Sequence, residues 1–340
     1  MAGTASQKRL GLVLPGGGAR GAYQAGALKA IAEIAPGEGN PFPVITGASV
    51  GAINAAALAA NAAAFDRGVE SLVEFWSSLT TDKVYRTDLK TIMAVGAQWV
   101  ASLTPLSNFG LPRPRAVLDN APLRELICNN IDLDRIEDAV SGGALRAIGI
   151  TASSYDRARA ITFFQGVQEI EEWTRVRRDG VAVRLTADHI LASAALPLVF
   201  EAQRIGTEYY GDGSLRITSP LSPAIHCGAD RILVIGVRDA KPQAANMGEP
   251  IYPSLGTLTG YMLDMIFMDN LDADIERALR VDNTLAHMSR PEREAAQLRE
   301  IDVLMVQPSR DVRDIAREHA GEMPWTIRML LRRLGVWGRD

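Results

Sequence analysis

The chain reads as an α/β protein of three layers, α/β/α, around a mainly parallel central sheet, with a helical C-terminal extension. Three observations predict this. Near the N-terminus a short apolar run twice breaks at glycine and hands over to a helical stretch. The second of these helices lies within Ile45–Phe65, which carries no charge. Further short apolar runs recur downstream at wide spacing. Strand, glycine turn and helix in repetition is how a parallel sheet is layered between helices. A helix without a polar face belongs inside a large α/β protein. With 47% hydrophobic and 22% charged residues among 340, the chain is neither disordered nor collagen-like.

The first strand is Leu10–Leu14, an apolar run that ends at Gly16-Gly17-Gly18. It is shorter than the roughly 7–15 residues a signal peptide requires. Gly21–Ala35 follows as a helix, Val44–Thr46 as the second strand and Val50–Ala64 as the second helix. Ile45–Phe65 is not read as a membrane span, because it holds Thr46, Ser49, Asn54, Asn61 and two glycines, and its bulk is alanine. Later strands are expected at Leu145–Ala152, Ala160–Phe164, Arg231–Val237 and Asp302–Val306, and a helix at Ser219–Gly228. Between Phe75 and Arg115 the pattern weakens under Pro105, Pro112 and Pro114. That stretch holds Trp76, Trp99, Leu103, Leu106 and Phe109, and reads equally as a cap beside a site or as helices of the core. No long Gly- and Pro-rich linker interrupts the chain. Residues 10–226 are therefore expected as the main domain, with 227–340 completing the same compact unit.

Lys and Arg number 36 against 40 Asp and Glu, a net charge of −4. With no basic field to hold a polyanion, nucleic acid is not an expected partner. Cys128 and Cys227 are too few for a disulfide scaffold and read as small buried apolar residues in a reducing compartment. A cytoplasmic location is expected. No clustered His or carboxylate motif suggests a metal, so neither metal nor organic cofactor is expected.

Two glycine turns carry the chemistry. GGGARG, Gly16 to Gly21, leaves backbone N–H groups open at a helix N-terminus, where the helix dipole favours negative charge. Such a cradle suits a phosphate or a reaction oxyanion alike. Dinucleotide binding would also want an acidic residue about 20 positions on, at the end of the second strand. Glu33 falls within the helix and Glu38 within a loop, and the second strand ends in a different device. That device is Gly47-Ala48-Ser49-Val50-Gly51, a G-x-S-x-G between strand and helix, the context in which the motif is a nucleophile elbow. Side by side in a parallel sheet, one turn would present a nucleophile and the other amides for the developing oxyanion.

A serine hydroxyl needs a base. The histidines are His189, His226, His287 and His319, and none lies in a glycine-rich turn. His226 follows Asp212 and so keeps the Ser–Asp–His order of a triad, but it sits in the expected helix Ser219–Gly228. Asp212, in Tyr209-Tyr210-Gly211-Asp212-Gly213-Ser214, lies on a small-residue turn after a short strand. A carboxylate there can take the serine proton directly; an Asx turn is the competing use.

LGLVLPGGGARGAYQAGALKAI, TGASVGAINAA and ASAALPLVFEAQRIGTEYYGDGSLRITSPLSPAI together resemble the patatin-like phospholipases, particularly the bacterial members. The similarity runs from Leu10 to His226. The resemblance implies a patatin-like fold over residues 10–226 and a serine–aspartate dyad, without histidine, that hydrolyses acyl esters of lipids. Carried onto this chain, Ser49 is the nucleophile and Asp212 its proton acceptor. The amides of Gly16, Gly17 and Gly18 line the oxyanion hole. Arg20 orients the loop, and Gly21, Gly47, Gly51 and Gly213 complete the motifs. Two positions depart from the family pattern. Ser214 follows Asp212-Gly213 where glycine or alanine is usual, and Pro15 precedes the triple glycine and removes one backbone donor.

Arg20 also reads as pinning the loop or meeting a substrate phosphate, and Asn54 as a buried amide bonded to nearby loop backbone. Tyr261, Met262, Met265, Ile266, Met268 and Leu271 crowd one helical stretch, which reads first as helix core and second as an acyl-chain groove. Pro324–Arg339 alternates Trp325, Ile327, Leu330, Leu331, Leu334 and Trp337 with Arg328, Arg332, Arg333 and Arg339. Such an amphipathic basic segment suits either peripheral contact with the inner membrane surface or packing on the sheet. The expected function is lipid acyl hydrolysis through an acyl-enzyme. Rivals are a carboxylesterase on short esters, a non-catalytic lipid-binding protein and a nucleotide-dependent oxidoreductase. Physiological lipid and oligomeric state are not encoded legibly.

Overall fold

Leu12, Val13 and Leu14 are all buried, the pattern of a central parallel strand covered on both faces. Their side chains alternate between two cores: Leu12 and Leu14 enter one apolar cluster and Val13 the other. That alternation makes the three layers. The computed structural model describes residues 8–37, 39–84, 116, 118, 120–197, 199–239, 252, 255–296, 298–322 and 328.

The strands are β1 (Leu10–Leu14), β2 (Val44–Ala48), β3 (Ala147–Ser154), β4 (Arg159–Gly166), β5 (Trp173–Arg175), β6 (Arg178–Ala182), β7 (Gln203–Ile205), β8 (Glu208–Gly211), β9 (Arg231–Ile235) and β10 (Asp302–Val306). They form one sheet in the order β10-β9-β1-β2-β3-β4-β6-β5, with the β7–β8 hairpin attached to β3 through β8. From β10 to β3 all neighbours are parallel; β4 then runs antiparallel to β3. The expected fold class holds. Residues beyond 226 enter the sheet beside its first strand, because β9 pairs with both β1 and β10.

On one face lie α1 (Gly21–Ile34), α2 (Val50–Ala60), α3 (Phe65–Ser77) and the helices Ala121–Asn130, Arg135–Ser141 and Ala187–Ala194. On the other lie the helix Ser222–His226 and the inner side of the long helix Leu255–Ala286. Every residue of α2 except Ala57 is buried, and the helix packs on β2, β3, α1, α3 and Ala187–Ala194 at once. Alanine is what so crowded a helix requires, since small side chains let its neighbours approach from every direction. Among the described residues no helix is long and apolar enough to cross a membrane.

Several expectations shift. The alanine helix stops at Ala60, four residues early. Asn61 there turns its amide back onto the Ala57 carbonyl (2.9 Å), and Phe65 begins a new helix with its ring against Phe42 (centroids 5.7 Å). The strand expected at Val44–Thr46 runs on to Ala48, directly into the serine turn. Cys227 is buried as expected, but Cys128 is exposed: Leu123 and Ile127 take the inner side of its helix. Of the apolar group on the long helix, Leu271 is core, whereas Tyr261, Met262 and Met265 stand 72%, 59% and 50% exposed, so the core reading fails for those three. The candidate cap beyond Val84, and Pro324–Arg339 apart from Arg328, lie outside the described residues.

Candidate active site

The pairing of β3 brings the two chemical turns together. One edge of β3 is covered by β4 along Ala147–Ser154. On the other edge β2 runs parallel as far as Ala48 opposite Thr151, and β8 runs antiparallel, with Gly211 opposite Ser153. The two strands thus meet head-on beside Ala152. The residue that follows each, Ser49 and Asp212, is delivered to the same point although 163 positions separate them.

Ser49 adopts φ 54°, ψ −128°, a conformation costing a non-glycine residue on the order of 1–3 kcal/mol. Its surroundings impose it. A Cβ on Gly47 would lie 2.2 Å from the Gly51 carbonyl oxygen, and one on Gly51 would lie 1.9 Å from the Leu14 carbonyl oxygen. Only glycines let α2 start this close to β1. The Ser49 N–H donates to Ser193 Oγ (2.9 Å), whose own proton goes to the Thr151 carbonyl (2.6 Å). With its amide thus engaged, Ser49 points its hydroxyl at Asp212, Oγ to Oδ2 2.6 Å.

Asp212 is 1% exposed. Its second oxygen, Oδ1, accepts the Ser214 N–H (2.8 Å), which closes the Asx turn anticipated as a competing use while Oδ2 accepts the Ser49 hydroxyl. The backbone is held too: the Asp212 N–H donates to the Ala195 carbonyl (2.9 Å) and its carbonyl accepts from Ser153 Oγ (2.8 Å). A Cβ on Gly213 would sit 2.0 Å from the Thr151 carbonyl oxygen. Burial pushes the carboxyl pKa up from 3.8 to about 6, against the opposing pull of the hydrogen bonds from Ser49 and Ser214. Such a group is ionised at neutral pH yet basic enough to take a proton.

The triple-glycine loop closes the third side. Gly16 is buried, Gly17 half-buried and Gly18 exposed in the left-handed region (φ 58°), where glycine is at no disadvantage. Gly18–Arg20 form a single 3-10 turn that opens α1. Arg20 is half-buried, and its N–H reaches the Gly17 carbonyl (3.3 Å). Gly16 lines a cavity together with Gly47, Ala48 and Ser214, residues of the serine and aspartate turns. Gly21 packs where a Cβ would meet Val50 (2.6 Å) and Trp76 (2.8 Å), which ties α1 to α2 and α3.

His226 and His189 are engaged elsewhere. His226 stacks on Trp173 (centroids 4.6 Å, interplanar angle 20°) and its Nδ1 donates to the Ser222 carbonyl (2.8 Å). His189 caps its own helix, Nδ1 accepting the Thr186 N–H (3.1 Å), with its ring edge-on to Phe163. Burial holds both below the ordinary imidazole value.

A family model described as patatin-like phospholipase matches residues 12–225, more than half of the chain. The chain belongs to the patatin-like phospholipase family. Among solved structures this patatin-like protein is similar to VipD from Legionella pneumophila at 14% identity, with TM-score 0.38 over 90% of this chain and 63% of that one. The type III effector ExoU matches at 18% identity and TM-score 0.32, over 67% and 43%. The ExoU–SpcU complex from Pseudomonas aeruginosa matches at 15% identity and TM-score 0.29, over 92% and 59%. The chain spans less than two thirds of the length of each. Comparison with curated proteins finds no match.

Reading the patatin motifs alone misses three buried polar residues in this site. Ser193 holds the Ser49 amide, Ser153 holds the Asp212 carbonyl, and Gln24 donates to the Pro15 carbonyl (2.9 Å). Each had a signal in the sequence: a polar residue at a core position of an apolar segment, which must find partners when buried.

Proposed function

We propose that this chain is a lipid acyl hydrolase working through a Ser49–Asp212 dyad and an acyl-enzyme. The 2.6 Å contact between the Ser49 hydroxyl and the buried Asp212 carboxylate carries the reading. The family supplies the substrate class: a carboxylic ester of a lipid.

In the proposed sequence Asp212 accepts the Ser49 proton as Oγ attacks the ester carbonyl carbon. The carbonyl oxygen becomes an oxyanion, held by N–H groups of Gly16, Gly17 and Gly18. Collapse of this intermediate expels the alcohol, which leaves with the proton from Asp212, and the acyl group stays on Ser49. Water then attacks the acyl carbon while Asp212 takes its proton. The second collapse releases the fatty acid and returns that proton to Ser49. Each loop amide on the oxyanion is worth about 2.7–4 kcal/mol at the transition state. Ser49 meets the substrate with its own amide already bound to Ser193, which supports drawing the oxyanion donors from the glycine loop.

The test compares Ser49→Ala, Asp212→Ala and His226→Ala on long-chain phospholipid and on a short soluble ester. Loss of hydrolysis in the first two and retention in the third is expected. A loss in His226→Ala as deep as in Asp212→Ala, with folding intact, would restore a triad. Turnover of the short ester alone identifies a carboxylesterase.

A further inference from the structure

A chain of buried amides runs behind the glycine loop. The Trp76 indole N–H donates to Asn54 Oδ1 (2.9 Å). Asn54 Nδ2 donates to Gln24 Oε1 (2.8 Å) and to the Gly21 carbonyl (3.1 Å). Gln24 Nε2 donates to the Pro15 carbonyl (2.9 Å) and to the Ile235 carbonyl (3.3 Å). Gln24 and Asn54 are 0% exposed. The orientation of both amides is forced. The indole N–H is a donor only, so it fixes Asn54 Oδ1; the Asn54 amide nitrogen then fixes Gln24 Oε1, and Gln24 must turn its NH2 to the two carbonyls. Both protons of each amide are used, and flipping either side chain would set donor against donor and acceptor against acceptor.

The last link bears on the chemistry. In a trans peptide the C=O of one residue and the N–H of the next point in opposite directions, and no peptide bond among the described residues is cis. Gln24 draws the Pro15 carbonyl towards the α1–α2 layer, which turns the Gly16 N–H the other way. Gly51 holds the same peptide close to the serine turn: a Cβ there would lie 2.8 Å from the Pro15 carbonyl oxygen. We infer that Gln24 is a positioning residue for the oxyanion-hole amide of Gly16, itself held by Asn54 and Trp76. The inference rests on the hydrolase reading and names what sets the loop's geometry relative to the nucleophile.

Gln24→Met keeps the side chain's length and removes both donors. Trp76→Phe removes the indole N–H, together with part of the ring system, at a half-buried position. With a soluble ester, Gln24→Met is expected to lower kcat on the order of 100-fold, with KM unchanged to within about two-fold. It should weaken inhibition by an alkyl trifluoromethyl ketone, whose adduct with serine places an alkoxide in the oxyanion hole, by the same factor. Trp76→Phe should show the same paired loss at about five-fold. A merely structural role would not make kcat fall and the ketone's inhibition constant rise by the same factor at constant KM. Gln24→Met within two-fold of the parent kcat, or losing kcat with ketone inhibition unchanged, overturns the inference. Should Gln24→Met fail to fold, an unchanged kcat in Trp76→Phe overturns it alone. Wild-type turnover abolished in Ser49→Ala establishes the parent reading first; its absence removes both.

Discussion

Asp212 concentrates the energetics of the site into one carboxyl group. It is held at about 6 by burial, well above the ordinary 3.8. Between those values the folded protein binds a proton that the unfolded chain has released. Stability contributed by this group therefore falls as pH rises through the window, and above about 6 the ionised carboxylate costs on the order of 3 kcal/mol. The same shift governs activity in the proposed mechanism, because only the carboxylate can take the Ser49 proton. Hydrolysis of a soluble ester should rise through a midpoint of about pH 6 and plateau above it. Full activity persisting at pH 4.5 would exclude Asp212 as the base. Ser193 is the neighbouring case. Ser193→Ala strands the Ser49 N–H and the Thr151 carbonyl, and should lower stability by about 1–3 kcal/mol in urea unfolding.

At the scale of the element, glycine marks where backbone meets backbone. Gly51 sits in the first turn of α2, where a Cβ would fall 1.9 Å from the Leu14 carbonyl oxygen. Neither backbone can retreat, since β1 is mid-sheet and α2 is walled in on every side. Gly51→Ala should destabilise by about 1–3 kcal/mol and lower kcat by displacing Ser49. Gly26, exposed in α1 where an added Cβ would meet no atom within 4 Å, is the control. Gly26→Ala should raise stability by about 0.5–1 kcal/mol through helix propensity alone. Equal urea midpoints for the two variants would refute the contrast. The turn around Ser49 was legible because its steric demands are local: G-x-S-x-G states them within five residues. β5 and β6 were not legible. Trp173–Arg175 and Arg178–Ala182 lack apolar alternation; they are strands because β6 pairs with the edge of β4 and β5 pairs in turn with β6.

For the whole molecule, the sheet decides what can be separated. β9 pairs with β1 along Leu10–Val13, and Gln24 spans the gap by donating to both the Pro15 and Ile235 carbonyls. A chain ending after His226 would expose β1 as an apolar edge and strand one Gln24 donor. Such a fragment should aggregate and show no turnover, whereas the full chain stays dispersed. A soluble, active fragment would establish residues 10–226 as an independent domain.

The amino-acid sequence by itself determined the fold class, the elbow at Ser49, the glycine cradle and the candidacy of Asp212. Each of these is a short-range demand: a tight turn, a charge-free helix or a strand needs only the residues within a turn or two. What only tertiary structure decided is the meeting of those parts. Ser49 and Asp212 converge because β2 and β8 share one edge of β3 and run towards each other. His226 faces Trp173 and the Ser222 carbonyl because its short helix lies on the opposite layer, and Gln24 and Ser193 find partners far along the chain in the Ile235 carbonyl and the Ser49 amide. Strand pairing is set by the burial of whole sheet faces, a sum over the molecule that no local run of residues contains.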